Sequence, residues 1–504
     1  MSLSSRLSAS FQTHKAWLEN LAMLMIFFAA MTVVQFATPN MPDNDGFYHI
    51  KLAYLMRTEG LKPDFPWLPM TILNQREFYD HHYLFHLALI PFTYGDLRLG
   101  AKWAAVAFAS LALFSLWRLL RGQRVPYAWL WALGLLAVSE AFLYRMSITR
   151  AQSLSLAVLG LGLHWMLNRR YTLLIPLGFI YVWLYNAFPL LAALAVVYGV
   201  SVWLIERRIE IRPLIFAALG IGLGLIINPY FPYNLVFIYY HLVPKLTDAT
   251  AVSVGNEWFP YNTTQLLKNS LLALAAFAAG ALGLGLYERR MDVRTAASFL
   301  LTLMFGLMLF QSRRFIEYFP PFALIFAAFA WAPMLVENGQ KGSAFFKWLT
   351  RPRLAALLLA AAVAPGMWFT LRQASDSIRS AKPYTLYQGA SAWLEQNTPQ
   401  GTRVFQTDWD DFPRLFFYNT HNTYLVGLDP TYLQSYDPEL YDLWVDITDG
   451  EVEAPSKLIR VQFGSSYVLT DLAHKGFLRR ASEDPGLREV YRDDDAVVFQ
   501  VLSP

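Results

Sequence analysis

Long apolar stretches, each closed by a short polar connection, follow one another through most of this 504-residue chain. A helix crossing a bilayer needs about 20 mostly apolar residues, because lipid offers its backbone polar groups no partners and they must pair internally. Eleven spanning helices are predicted, near 18–37, 100–118, 126–143, 151–167, 171–184, 187–205, 213–228, 269–286, 295–311, 319–336 and 353–371. The fifth is short and is parted from the sixth only by Asn186-Ala187-Phe188-Pro189, so the pair reads equally as one bent or re-entrant element. The stretch from Leu21 to Ala37 is long for the core of a signal peptide and no small-residue cleavage site follows it, so it reads as the first spanning helix.

From Arg372 the pattern changes. Charge becomes ordinary, Asn-Thr-Pro and Asp-Pro turns occur, and apolar residues alternate with polar ones. "TRVFQTDW", "NTYLVGLD" and "SSYVLTDL" read as strands and "TLYQGASAWLEQN" as a helix. The predicted organisation is a polytopic α-helical membrane domain over 1–371, with long loops at 38–99 and 229–268, and a soluble α+β domain over 372–504.

Positive charge orients this arrangement, since loops rich in Lys and Arg stay in the cytoplasm. Arg6 and Lys15 precede the first helix. Basic clusters then follow every second connection: Arg118, Arg121 and Arg124; Arg169 and Arg170; Arg207, Arg208 and Arg212; Arg289, Arg290 and Arg294; Lys341, Lys347, Arg351 and Arg353. The N-terminus is therefore expected in the cytoplasm and the two long loops and C-terminal domain outside. A bacterial inner membrane with a periplasmic domain is the expected setting.

Composition agrees with a lipid solvent. Only 15% of residues are charged against 55% hydrophobic, where soluble domains carry about a quarter charged. Mean hydropathy is +0.31. The 16 Trp and 27 Tyr suit the headgroup region. A net charge of +4 without a basic run excludes a nucleic-acid partner, and the absence of cysteine excludes disulfides, thiolate metal sites and Cys nucleophiles.

Candidate chemistry gathers in the outer loops. The first opens with Asp43-Asn44-Asp45-Gly46-Phe47-Tyr48-His49 and continues to Asp80-His81-His82-Tyr83-Leu84-Phe85-His86. On a helix His82 and His86 would share a face. Asp43, Asp45, Asp80, His81 and His82 are candidate ligands for Mg²⁺ or Mn²⁺, which carboxylates suit. The plainer reading of 80–86 is an amphipathic surface helix capped by Asp80. Against the positive-inside trend, Arg145, Arg150, Arg313 and Arg314 lie at the outer membrane edge. Arg grips phosphate oxygens with a planar fork, so a lipid phosphate or pyrophosphate is their expected ligand; ion pairing with Glu140 or Glu317 is the plainer reading. Glu257 lies between aromatics in a loop long enough to act as a lid.

With these residues in view, the chain resembles the GT-C superfamily of membrane glycosyltransferases, and within it the catalytic subunit of oligosaccharyltransferase. "DNDGFYH" resembles that family's acidic motif in the first outer loop. Ser253-Val254-Gly255-Asn256-Glu257 resembles its later loop motif with one extra residue. Arg314-Phe315 followed by Tyr318 resembles its membrane-edge motif. "WLEQNTPQGTRVFQTDWDDF" follows the start of its soluble domain through Trp393, Asn397-Thr398-Pro399 and Trp409-Asp410. The resemblance implies transfer of a glycan from a polyprenyl-phosphate-type lipid to an acceptor outside the membrane, with inversion suspected. Asp45 would be the metal ligand or the carboxylate activating the acceptor, Glu257 would approach acceptor or metal, Arg314 would bind the lipid phosphate, and Trp409 and Asp410 would meet the acceptor.

Two departures qualify this. "YRMSITRAQS" stands where the family has a second acidic motif, so a metal would need Asp80, His81 or His82 instead. Asp408-Trp409-Asp410-Asp411-Phe412 replaces the family's W-W-D-Y-G, which reads the Ser or Thr of a sequon. The implied acceptor is a protein, lipid or glycan other than a sequon Asn. A transporter or flippase of lipid-linked sugar is the alternative, but transporters place polar groups at mid-depth and often show repeated halves, neither of which this sequence displays.

Overall fold

The computed structural model describes residues 3–74, 76, 78–247, 255–286, 291–336 and 351–502. Ser253, Val254, Arg289, Arg290, Lys341 and Lys347 lie outside the described residues. Helix α1 (Leu3–Gln35) leads into a loop that carries α2 (Asp45–Glu59) and α3 (Tyr83–Leu89). There follow α4 (Leu97–Gly122), α5 (Ala128–Gly134), α6 (Glu140–Met146), α7 (Gln152–Leu167), α8 (Leu174–Leu184), α9 (Pro189–Glu206) and α10 (Arg212–Ile226). A second loop carries α11 (Tyr233–Thr247), and α12 (Thr263–Leu286), α13 (Val293–Gln311), α14 (Phe319–Val336) and α15 (Pro352–Arg379) complete the helical part.

Seven helices among the described residues are long and apolar enough to cross a membrane: segments of α1, α4, α9, α12, α13, α14 and α15. The chain is a polytopic α-helical membrane protein. Its other apolar helices, including α7 and α10, are shorter, so the expected eleven full spans are not all reached. The single helix expected over 126–143 is instead two, α5 and α6. Ser139 breaks it. Its backbone is extended, its hydroxyl accepts from the Phe142 amide at 3.0 Å, and the same hydroxyl donates to the Asn269 carbonyl at 2.6 Å. A capping side chain with a second partner competes well with a continued helix. The fifth and sixth candidates are separate helices, α8 and α9, joined by Tyr185–Phe188 with Tyr185 extended.

The chain divides into two compact units: Met1–Pro39, Lys102–Gly224 and Phe259–Ser380 form one, and Asn40–Ala101, Leu225–Trp258 and Ala381–Pro504 the other. In the first, α8 and α10 approach through small residues. A Cβ on Gly220 would lie 2.2 Å from the Ile175 carbonyl oxygen, and one on Gly224 2.9 Å from that of Phe179. Gly220 and Gly224 are four apart, the spacing that lets membrane helices pack backbone to backbone.

The second unit joins the outer loops to the C-terminal domain. That domain consists of α16 (Gln388–Asn397), β1 (Arg403–Gln406), α17 (Phe412–Tyr418), β2 (Thr423–Tyr424), α18 (Thr431–Tyr436), α19 (Pro438–Asp449), α20 (Pro455–Val461), β3 (Tyr467–Asp471), α21 (Lys475–Glu483), β4 (Leu487–Arg492) and β5 (Ala496–Val501). The sheet order is β2-β1-β3-β5-β4, with β1 parallel to β2 and β3 and β5 antiparallel to its neighbours. Consecutive residues of β1 and β3 are buried, the mark of strands covered on both faces. The first loop closes the β2 edge: the Tyr424 amide donates to the Trp67 carbonyl at 2.8 Å, and the Trp67 indole donates to the Thr420 carbonyl at 2.9 Å. Covering an edge strand removes a template for unwanted pairing.

Gly220→Ala is expected to destabilise the detergent-solubilised protein by about 1–3 kcal/mol, as overpacking does. Gly222→Ala, where a Cβ meets nothing within 4 Å, should leave the thermal midpoint unchanged. Equal behaviour of the two variants in a thermal-shift series would contradict the packing described.

Candidate active site

The chain leaves β1, goes first to β2 on one side and then to β3 on the other, so the sheet's switch point lies between β1 and β3. In sheets of parallel strands, sites form outside the carboxyl ends at such a point. Asp408-Trp409-Asp410-Asp411 occupies that position, directly after β1. Beneath it the Thr407 hydroxyl donates to that of Thr470 at 2.8 Å, tying the ends of β1 and β3 together.

This segment holds the first loop's acidic motif. The Asn44 amide nitrogen donates to the Asp410 carboxylate at 2.7 Å and to the Asp410 carbonyl at 3.1 Å. The Asn44 amide oxygen accepts from Arg414 Nε at 2.7 Å. Arg414 is 1% exposed. It also donates to the Pro383 carbonyl at 2.7 Å and lies over the Phe47 ring at 4.4 Å. Below these polar contacts α2 packs on α17 through Phe47, Tyr48, Phe412, Phe416 and Phe417. Asp43 turns its carboxylate to the Asp45 amide at 2.8 Å. Asp45 is the first residue of α2, where the helix dipole favours negative charge.

Carboxylates therefore converge. Burial, and then the charges of Asp43, Asp45 and Asp408, push the Asp410 carboxyl up to about 7, against a small opposing effect from Lys382. Burial and Asp408 push Asp411 well above the ordinary range too. Its Oδ2 is buried with no hydrogen-bond partner among the described residues. The second loop reaches the same segment: a Cβ on Gly255 would lie 3.6 Å from the Trp409 ring. Two residues on is Glu257, half-buried in a short 3₁₀ turn.

The histidines do something else. The Asp80 carboxylate accepts from His86 Nδ1 at 2.7 Å, and His86 Nε2 meets His49 Nδ1 at 2.7 Å. All three are at most 3% exposed. Asp80 also caps its own turn, accepting from the His82 amide at 3.0 Å, and α3 starts at Tyr83. His82 stands edge-on to His49, and His81 stacks on Phe237. The chain Asp80–His86–His49 fixes the ring tautomers and braces α2 four residues below Asp45.

This arrangement does not fit the expected cation site. Both Asp80 oxygens serve neighbouring groups, as do an oxygen of Asp43 and one of Asp410. No three His, Asp or Glu side chains among the described residues converge as ligands. The set Asp43, Asp45, Asp80, His81 and His82 is thus divided between the α2 terminus and the α3 turn, and no chemical step is assigned to Mg²⁺ or Mn²⁺.

The four arginines belong to the first unit. Arg145 pairs with Glu317, its Nε donating at 2.7 Å to a carboxylate that is 0% exposed. Arg313 donates through its backbone to the Phe259 carbonyl at 3.1 Å and through Nε to the Pro260 carbonyl at 3.2 Å. These bonds hold Phe259 and Pro260 against the turn that follows α13. Arg314 donates to the Tyr185 hydroxyl and lies over its ring. Arg150 is half-buried at the start of α7. Sequence reasoning passed over Asn44, Arg414 and the His49–His86 contact. Arg414 carried a visible signal, a lone guanidinium in the aromatic run Phe412-Pro413-Arg414-Leu415-Phe416-Phe417.

The fold, a polytopic helical part with two long loops and a small C-terminal sheet domain, is shared by solved structures. The archaeal oligosaccharyltransferase AglB from Archaeoglobus fulgidus, in complex with an inhibitory peptide and a dolichol-phosphate, superposes with a TM-score of 0.65 at 15% identity, over 94% of this chain and 71% of that one. ArnT from Cupriavidus metallidurans bound to undecaprenyl phosphate gives 0.58 at 15% identity, over 96% and 98%. The arabinofuranosyltransferase AftD from Mycobacteria gives 0.60 at 15%, over 95% of this chain and 40% of that one. No family model and no curated protein matches the sequence.

Arg145→Ala strands the buried Glu317 charge and should cost about 3–5 kcal/mol. Adding Glu317→Gln should restore much of that loss in a thermal-shift comparison. A single variant as stable as the double would contradict the pairing.

Proposed function

We propose that the chain is a glycosyltransferase that moves a sugar or glycan from a polyprenyl-phosphate-type lipid to an acceptor on the outer side of the membrane. The observation that carries this reading is that Asp410, on a GT-C fold, binds Asn44 between Asp43 and Asp45, with Gly255 of the Glu257 loop beside the neighbouring Trp409. The AglB structure contains a dolichol-phosphate and the ArnT structure undecaprenyl phosphate; the donor proposed here has a carrier of that class.

The acceptor oxygen attacks the anomeric carbon while the bond from that carbon to the phosphate oxygen breaks. The electron pair leaves with the phosphate, and the sugar passes through an oxocarbenium-like state. Asp45 takes the acceptor proton as general base. Glu257 orients the acceptor, and Trp409 and Asp410 contact it. Arg314 stabilises the growing phosphate charge, with Arg150 as the second candidate; Arg145 and Arg313 are committed to protein partners and shape that edge. Attack opposite the phosphate inverts the anomeric centre. The N-terminus lies in the cytoplasm of a bacterial inner membrane, and 372–504 forms the periplasmic domain.

Asp45→Asn should abolish transfer while the protein still inserts. Mass spectrometry of cell-surface glycans from cells carrying wild type or variant reads this directly, and wild-type products from Asp45→Asn would remove the assignment. Arg314→Ala deletes charge-assisted bonds worth about 1.5–3 kcal/mol. Binding of undecaprenyl phosphate to the purified protein should weaken by about tenfold or more; unchanged affinity would exclude Arg314 from the phosphate site.

A further inference from the structure

We infer that Asn44 is the positioning residue of the reaction, and that Asp410 and Arg414 of the C-terminal domain grip its amide to aim the flanking carboxylates of Asp43 and Asp45. The inference rests on the transferase reading above and goes beyond it, since Asn44 itself touches no substrate.

Three geometric facts support it. The side-chain bonds of Asn44 run to one short stretch of the C-terminal domain, 2.7 Å to the Asp410 carboxylate, 3.1 Å to the Asp410 carbonyl and 2.7 Å to Arg414. An amide has two donors and an acceptor of fixed orientation, so this pattern fixes its plane and with it the backbone on either side. Arg414 is itself immobile, wedged between the Pro383 carbonyl and the Phe47 face. Finally, Trp409, one residue from the grip, lies beside Gly255 of the Glu257 loop, so one segment borders both acidic loops. A misplacement of about 1 Å at a reacting group can cost on the order of a hundredfold in rate, which is the scale on which such a grip matters.

The test uses the full chain in proteoliposomes, with polyprenyl-linked sugar extracted from the host membrane as donor. Asn44→Ala should lower kcat on the order of a hundredfold with donor KM unchanged. Arg414→Ala, which leaves the Asn44 amide oxygen without its donor, should do the same. Full kcat in Asn44→Ala, or a loss that appears in donor KM and leaves kcat unchanged, overturns the proposal. If the wild type releases no polyprenyl phosphate, the transferase reading has failed instead. The grip is then judged by thermal shift alone: Asn44→Ala, which leaves Asp410 and Arg414 short of a partner, should lower the midpoint, and an unchanged midpoint rejects it.

Discussion

One amide, that of Asn44, ties a membrane-protein loop to a soluble sheet. The acidic motif of the first loop begins in the turn that precedes α2, and its capping residue makes no side-chain cap bond within the helix. Its shape comes from Asp410 and Arg414 above and from the aromatic packing of α2 on α17 below. Both supports exist because β1 ends at the switch point of a parallel sheet, which turns Asp408–Asp411 outward and starts α17 immediately afterwards. The fold thus supplies a fixed ledge, and the loops take their geometry from it.

That dependence explains which features the sequence displayed. Spanning helices write themselves as long apolar runs, and helices lie in every expected run, though not all are long enough to span. What the runs could not show is the break at Ser139, which depends on a hydroxyl meeting Asn269 far along the chain. Strands β1 and β3 were visible because they are buried on both faces and rich in branched residues. β4 and β5 were missed: Leu487–Arg492 is mostly exposed and charged, and only its pairing with β5 defines it. The Arg145–Glu317 pair was the plainer of two readings and is present; the surface helix capped by Asp80 is not, since Asp80 and His86 are buried and Asp80 bonds the turn before α3, whose cap residue is His82.

Candidate-site residues were legible as types and not as partnerships. Asp45, Glu257 and Trp409 stood out by charge or ring among unlike neighbours. The expected cation ligands were grouped by nearness in sequence, but a helical turn and a histidine chain separate them: Asp80 faces His86 and His49, while Asp43 faces Asp45 and the ledge. Asn44 looked like a spacer between two carboxylates. Its importance lies in bonds across more than 360 residues, which no local pattern encodes.

A shared fold alone does not separate an enzyme from a carrier of lipid-linked sugar, since function resides in the site. Carboxylates brought together on one ledge argue for bond cleavage, where a carrier needs only a path. The most direct test reconstitutes the protein with polyprenyl-linked sugar labelled in both sugar and lipid. Transfer predicts that free polyprenyl phosphate accumulates while the sugar label moves to acceptor. Passage of the intact doubly labelled lipid between leaflets, with no cleavage, would contradict the account.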